Sequence, residues 1–313
     1  MVFDKTGTLT VGRPSVAEIV DLAGVGEERI LRVAATLESG SEHPLANAVI
    51  ERAAGLARYE LQGFEAFPGE GVRGKVDGKE AAIGNRKIMS RLGIAMDGAE
   101  AAAARLESEG KTVSLVALEG KIIGIIAMID KPKPDAKEAV EELKKEGLEV
   151  YMLTGDNERV AKAICREIGI EKYFAEVSPG EKAQRISMLQ SEGRVVAFVG
   201  DGINDAPALT QADVGIAIGS GTEIAKEAGG IILTRDDLLG VVSSIRLGRK
   251  TMNKIRQNMF WALAYNMAGI PIAAGVLYPY LTLRPEIAAL AMSMSSVSVV
   301  SNSLLLKRYK EEH

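Results

Sequence analysis

Histidine, cysteine and aromatic side chains are scarce in this 313-residue chain, which has two His, one Cys, one Trp and 4% aromatics overall. A single cysteine, Cys165, excludes an internal disulfide framework and any Cys-x-x-Cys metal site. It falls in the helical pattern Val160–Cys165, where a buried core thiol is expected. Neither charge sign dominates: 42 acidic residues face 38 basic ones, and a net charge of −4 offers no footprint for nucleic acid. No signal peptide is expected, because the first residues already read as a catalytic strand. Internal repeats and low-complexity tracts are missing too, apart from the alanine-rich Ala99–Ala104, which reads as plain helix. The remaining composition, 47% hydrophobic and 26% charged, is ordinary, and the length suffices for two soluble domains and a membrane element.

Charge is also absent locally. Met259–Leu283 and Ile287–Leu306 contain no charged side chain, and each run is long enough to cross a bilayer as a helix. Arg284-Pro285-Glu286 between them reads as a tight hairpin turn. Arg246, Arg249, Lys250, Lys254 and Arg256 precede the first run, and Lys307, Arg308 and Lys310 follow the second. The positive-inside rule then places both ends, and the soluble part, in the cytoplasm. A buried helical hairpin inside a soluble core is the alternative.

Upstream, the apolar runs Ile122–Ile129, Val150–Leu153, Val195–Val199 and Val214–Ile218 are each followed by Gly, Asp or Thr. Helical patterns over Pro134–Glu146, Glu158–Ile168, Pro179–Glu192 and Asn204–Gln211 separate most of them. This predicts a parallel α/β sheet, whose active site belongs at the C-terminal strand ends. Between Thr10 and about Gly120 the character changes. Helices are expected over Glu27–Glu38, His43–Leu56 and Gly98–Glu109, with short Gly-punctuated strands between Leu61 and Gly84, as in a domain inserted after the first strand. Lys131-Pro132-Lys133-Pro134 stiffens the return.

The chemistry sits in short strings. Asp4-Lys5-Thr6-Gly7-Thr8-Leu9-Thr10 follows the apolar Val2-Phe3, and a carboxylate at a strand end can attack a phosphoryl group and carry it as a mixed anhydride. A surface turn capped by Asp or Thr is the plainer reading. Thr154-Gly155-Asp156-Asn157 follows a strand and opens a helix, which suits phosphate binding or simple capping. Gly200-Asp201-Gly202-Ile203-Asn204-Asp205-Ala206-Pro207 sets two carboxylates four residues apart at a sheet edge, hard oxygen ligands of the kind Mg2+ takes. Asp4, the Thr6 carbonyl and Asp201 could hold the ion, with Asp205 orienting that shell and Asn204 bonding phosphate. Lys182 at a helix start could face the developing charge or stay solvated.

In this order, DKTGTLT, TGDN, a lysine and GDGINDAPAL, the chain resembles the P-type ATPases, built on the haloacid-dehalogenase fold. Ser41-Glu42-His43-Pro44-Leu45 with Glu38, the run Gly69-Glu70-Gly71-Val72-Arg73-Gly74, and Gly84-Asn85 resemble the nucleotide-domain signatures of the heavy-metal-transporting branch. That resemblance implies ATP and Mg2+ as cofactors and Asp4 as phosphoryl acceptor. It implies catalytic parts for Lys5, Thr6, Thr154, Gly155, Asp156, Lys182, Asn204 and Asp205. It implies ATP contacts for Glu38, His43, Gly69, Gly71, Gly84 and Asn85. A lone His at a helix start is otherwise more often a cap or a solvated residue. Tyr265-Asn266 and the Met292 to Ser296 pair, set one turn apart, resemble the Cu(I)-exporting subgroup, in which a soft thioether suits Cu(I) or Ag(I). Packing by Met and Ser is the alternative.

The resemblance implies a haloacid-dehalogenase-like parallel-sheet domain (1–12 and 121–256) with an inserted α+β nucleotide-binding domain (13–120). A two-helix transmembrane hairpin (257–306) and a cytoplasmic tail (307–313) would follow. It further implies an integral membrane protein with cytoplasmic soluble domains, lacking the actuator domain and earlier spans and unable to transport alone. The implied partners are the membrane, the missing N-terminal half and a copper chaperone. A phosphatase or phosphomutase of the same superfamily is the competing reading. Such enzymes carry a second Asp two residues after the nucleophile, where this chain has Thr6. A non-catalytic nucleotide-binding assembly fragment is the third.

Overall fold

The computed structural model describes residues 1–41, 43–201, 205–219, 230–276 and 285–308, with backbone alone at 273, 285–292 and 308. The chain divides into two compact units, Met1–Leu239 and Gly240–His313. In the first unit a six-stranded, all-parallel sheet is built from β1 (Val2–Asp4), β8 (Tyr151–Leu153), β9 (Lys172–Phe174), β10 (Ala197–Gly200), β11 (Val214–Ile218) and β12 (Ile231–Leu233), in the order β12-β11-β10-β1-β8-β9. The central β1 is buried along its whole length, and Phe3 and Phe198 on neighbouring strands are among the largest fully buried side chains. Crossover helices α5 (Ala136–Lys145), α6 (Glu158–Ile168), α7 (Lys182–Ser191) and α8 (Ala206–Gln211) return the chain between strands. Helix α6 shows how local sequence sets such an element. Asn157 accepts the Val160 N–H as N-cap, left-handed Gly169 ends the helix, and Val160, Ala161, Ile164, Cys165 and Ile168 form one apolar stripe.

Cys165 is buried, its Sγ lies 3.9 Å from Met152 Sδ, and burial pushes its thiol up to about 12. A thiol reagent such as DTNB should therefore leave Cys165 unmodified in native protein at pH 8 and modify it stoichiometrically in denaturant. Rapid native labelling would contradict this placement.

The inserted segment forms a six-stranded antiparallel sheet from β2 (Ser15–Asp21), β3 (Leu61–Phe67), β4 (Gly71–Val76), β5 (Lys79–Gly84), β6 (Thr112–Leu118) and β7 (Lys121–Ile129), in the order β2-β7-β6-β5-β4-β3. Helices α1 (Glu27–Glu38) and α2 (Pro44–Arg52) belong with one face, in a core that includes Ile30, Leu37, Val49, Ile83 and Ile126. Helices α3 (Arg86–Arg91) and α4 (Ala99–Ser108) belong with the other, around Ile88, Leu106, Leu115 and Ile125. The run Ile122–Ile129, expected in the parallel sheet, is here the antiparallel partner of both β2 and β6. The reason is physical: a strand covered on both faces reads as a continuous apolar run whichever sheet holds it. Where the chain enters and leaves the insert, Thr10 bridges Pro132, and Thr10 Oγ1 donates to Asp130 at 2.6 Å.

The second unit contains α9, part of a helix that begins with the last residue of the first unit (Leu239–Ala273), and α10 (Pro285–Leu304). Among the described residues no helix is long and apolar enough to cross a membrane, and the expected transmembrane hairpin falls partly on residues outside them. Basic residues from Arg246 to Arg256 lie in the N-terminal half of α9, its uncharged stretch starts only at Met259, and the helix stops at Ala273. The turn expected around Arg284 lies partly in 277–284, outside the described residues. The two helices are nonetheless joined side by side. Lys254 Nζ donates to Asn302 Oδ1 at 2.8 Å, Asn302 Nδ2 to Asn258 Oδ1 at 2.7 Å, and Asn258 Nδ2 to Ser303 Oγ at 2.8 Å.

Candidate active site

Register brings the motif strings together. β1 lies between β8 and β10, with Asp4 paired to Leu153 and Phe3 to Val199. Thr154 and Asp201 therefore leave neighbouring strands at the same edge as Asp4. After Asp4 the chain turns sharply through Thr6 and left-handed Gly7 (φ 74°). A Cβ at Gly7 would lie 3.4 Å from Asp201 Oδ2, so glycine serves both the turn and the approach of that carboxylate.

The centre is one ammonium serving two carboxylates. Lys182 Nζ donates to Asp4 Oδ1 at 2.7 Å and to Asp205 Oδ1 at 2.6 Å, and all three groups are buried. Burial would lower the Lys182 pKa, but the two carboxylates outweigh it and hold the group above its ordinary value. Burial, then the charge of Asp205, pushes the Asp4 carboxyl up to about 7 against the pull of Lys182. Beside this centre Lys5 pairs with Asp156. Thr154 Oγ1 accepts the Asp156 N–H at 3.1 Å, which fixes the Thr154-Gly155-Asp156 turn.

This donor set fits a hard divalent cation. Two carboxyl groups share one ammonium at the Lys182 centre, and among the described residues Asp205 Oδ2 is buried without a partner. Among the described residues no three His, Cys, Asp or Glu side chains group as a metal site. The expected Mg2+ shell draws only two side-chain carboxylates, Asp4 and Asp201, with the Thr6 carbonyl, and phosphate and water would complete it. Asn204 lies outside the described residues.

In the insert, His43 caps α2, its Nδ1 accepting the Leu45 N–H at 3.2 Å. Desolvation lowers its pKa, Lys5 adds to this and Asp156 opposes it, so the ring sits within the field of the catalytic loops. Gly71 and Gly84 pair across β4 and β5, both at positive φ. A Cβ on either would overlap the opposite backbone, the Ile83 carbonyl in one case and the Glu70 carbonyl in the other. Only glycine lets these strands close here, whatever binds beside them. Asn85 caps α3 through Oδ1 to the Lys87 N–H, and its Nδ2 donates to the Gly69 carbonyl at 2.8 Å.

Burial pushes Glu38 up to about 7, opposed by a hydrogen bond from Ser41. Because its folded pKa lies above its unfolded value, the folded state is favoured below about pH 4.5 and loses that advantage as pH rises through 7. Glu38→Gln should therefore gain on wild type between pH 5 and 8 by on the order of 1 to 3 kcal/mol. Denaturant unfolding across that range checks it, and a constant difference would refute it.

Tyr265 and Asn266 lie on α9, and Asn266 Nδ2 donates to the Ala262 carbonyl of its own helix at 3.0 Å. Ser296 lies on α10, and the Met292 side chain is outside the described residues. Sequence reasoning missed a set of residues on the insert that reach the Thr154–Asn157 loop. Thr112 Oγ1 donates to Asp156 Oδ1 at 3.2 Å, and Glu107 accepts from Asn157 Nδ2 at 2.7 Å. A signal existed: Ala99, Ala103, Leu106 and Glu107 follow helical spacing, which puts Glu107 on the buried stripe of α4.

A haloacid dehalogenase-like hydrolase family profile matches residues 1–213. The chain is 52% identical to a protein of Archaeoglobus fulgidus described as a probable copper-exporting P-type ATPase, covering 99% of this chain and 38% of that protein. It is 47% identical to a copper-transporting P-type ATPase of Rhizobium leguminosarum bv. viciae, covering 98% of this chain and 37% of that one. The chain thus spans about two fifths of the length of these curated relatives. Among solved structures, a zinc-transporting PIB-type ATPase in its E2.Pi state matches with a TM-score of 0.69 at 37% identity, over 97% of this chain and 49% of that one. The catalytic domain of the CPx-ATPase CopB-B matches with a TM-score of 0.60 at 32% identity, over 78% of this chain and 87% of that one.

Proposed function

Because this chain belongs to the P-type ATPases, on a haloacid dehalogenase-like fold and beside copper-exporting relatives, we propose that it is the catalytic portion of a copper(I)-exporting pump phosphorylated on Asp4. The observation that carries the reading is the buried Asp4 at the end of the central strand, bonded to Lys182 and flanked by the Thr154 and Asp201 turns. An Asp4 carboxylate oxygen attacks the γ-phosphorus of ATP, the bond to the β–γ bridging oxygen breaks, and ADP leaves with that electron pair. Lys182 faces the incoming phosphoryl oxygens, and Thr154 with the amides of its turn supplies further donors. Mg2+, held by Asp4, Asp201 and the Thr6 carbonyl and oriented by Asp205, would neutralise phosphate charge and help ionise Asp4. Thr6 stands where a phosphatase of this superfamily carries an acid/base Asp, so the acyl phosphate on Asp4 is long-lived. Glu38, His43, Gly69, Gly71, Gly84 and Asn85 would hold the nucleotide.

The cargo reading rests on Tyr265, Asn266, Met292 and Ser296, a soft-ligand set for Cu(I), with Ag(I) as a competitor. Phe260, Trp261, Leu263, Met267 and Ile270 on α9 and Val297, Val300 and Leu304 on α10 are exposed. Their exposure supports a helical hairpin covered by lipid, with the sheet domains in the cytoplasm. An N-terminal half with an actuator domain, and a copper chaperone, would complete the pump. The test is to incubate the full chain with γ-labelled ATP and Mg2+, quench in acid and treat with hydroxylamine. A hydroxylamine-labile phosphoprotein is expected, and nucleotide binding without any label would overturn the reading.

A further inference from the structure

Glu107 is a charged side chain only 1% exposed. Its carboxylate accepts hydrogen bonds from Arg86 Nη2 at 3.0 Å, Asn157 Nδ2 at 2.7 Å and Arg159 Nη1 at 3.0 Å, with Arg86 Nη1 closer still. Arg86 opens α3 in the insert, whereas Asn157 and Arg159 open α6 of the parallel-sheet domain. One carboxylate of the insert is thus enclosed by a guanidinium from each domain. Without its charge the two guanidinium groups would face each other with Glu100, among the described residues, as the one other carboxylate bonded to both. That acceptor is about half exposed, bonded to Arg86 at 2.8 Å and to Arg159 at 3.3 Å. An exposed pair contributes little, while removing one partner from a buried set leaves charge uncompensated.

We propose that Glu107 is a positioning residue, a buried latch that docks the nucleotide-bearing insert on the Thr154–Asn157 loop for phosphoryl transfer. The proposal rests on the reading of Asp4 as phosphoryl acceptor. The loop does not need Glu107 for its own shape. Thr154 Oγ1 accepts the Asp156 N–H, Asn157 Oδ1 accepts the Val160 N–H at 3.1 Å, and the Asp156 carbonyl accepts the Glu176 N–H at 2.8 Å. Loss of the latch therefore loosens the insert and spares the loop. Transfer from ATP, which the insert delivers, depends on the latch. Transfer from a small acyl phosphate that reaches Asp4 by itself does not.

The experiment compares wild type, Glu107→Gln and Glu107→Gln/Arg159→Gln in the full chain, using labelled ATP and labelled acetyl phosphate as alternative donors. In Glu107→Gln, labelling from saturating ATP should slow by about tenfold or more, while nucleotide Kd and labelling from acetyl phosphate stay within about twofold. Nitroxides on the exposed positions Arg58→Cys and Lys162→Cys, one in each domain, should show a broadened distance distribution in Glu107→Gln. Adding Arg159→Gln, which removes one of the opposed cations, should narrow it again. Wild-type labelling from ATP, an equal fall with both donors, or an unchanged distance distribution would each overturn the latch. Wild type that takes label from neither donor would sink the Asp4 reading instead, and the distance measurement then decides the latch alone.

Discussion

Asp4→Asn is expected to lower acid-stable phosphoprotein formation by at least about 1,000-fold, because an amide has no anionic oxygen to attack phosphorus. The same change should not unfold the protein. In wild type a buried carboxyl with a pKa of about 7 must ionise as pH rises, and the folded state disfavours that charge. The folded pKa is raised, so stability is fullest below about 4 and declines through 7. Asparagine keeps an oxygen to accept the Lys182 bond and removes the titration. At pH 8 the variant's Tm should equal or exceed that of wild type, with nucleotide binding retained. A variant that binds nucleotide and still takes hydroxylamine-labile label would mean that another carboxylate is the acceptor. Loss of label together with loss of folding would leave a structural explanation standing.

Lys182→Met should cost both chemistry and stability. Removing a cation aimed at developing phosphoryl charge slows transfer by about 100- to 1,000-fold. It also leaves Asp4 and Asp205 buried together without the ammonium that bonds both. Breaking a buried ionic set by removing one partner costs about 3 to 5 kcal/mol. The loss should be largest at pH 8, where Asp4 is forced toward ionisation, and should shrink toward pH 5 as Asp4 takes up a proton. Unfolding in denaturant at the two pH values, alongside nucleotide binding, separates the effects. A destabilisation that does not change with pH would refute the shared-ammonium account. Unchanged labelling would remove Lys182 from the transfer step.

The parallel sheet was legible where strands are short apolar runs ending in Gly, Asp or Thr, as at Tyr151–Leu153, Ala197–Gly200 and Val214–Ile218. β9 and β12 were not read, because three-residue strands at the sheet edges, only partly buried, carry too little pattern. The run Ile122–Ile129 was legible as a strand but not as a member of the antiparallel sheet, since hydrophobicity on both faces records burial and not the direction of a neighbour. Asn85 and His43 show the same limit in the nucleotide motifs. Their types and positions are plain in the chain, and a cap is one reading of His43, yet only the structure decides that reading and shows that Asn85 caps a helix too.

Chemistry that depends on contiguous residues was already present in the linear chain. A carboxylate after a buried strand, a hydroxyl before a helix and a glycine at a turn act through neighbours one to four positions away, and local backbone geometry ties those together. Partnerships across the chain were decided by folding. Lys182 lies 178 residues from Asp4 and 23 from Asp205, and parallel strand order sets it between them. Glu107 sits 50 residues before Asn157, and the packing of α4 on α6 brings it the Asn157 and Arg159 donors that complete its enclosure with Arg86. Helical spacing marks the face on which Glu107 lies, but what covers that face and which donors meet the carboxylate is decided by tertiary packing.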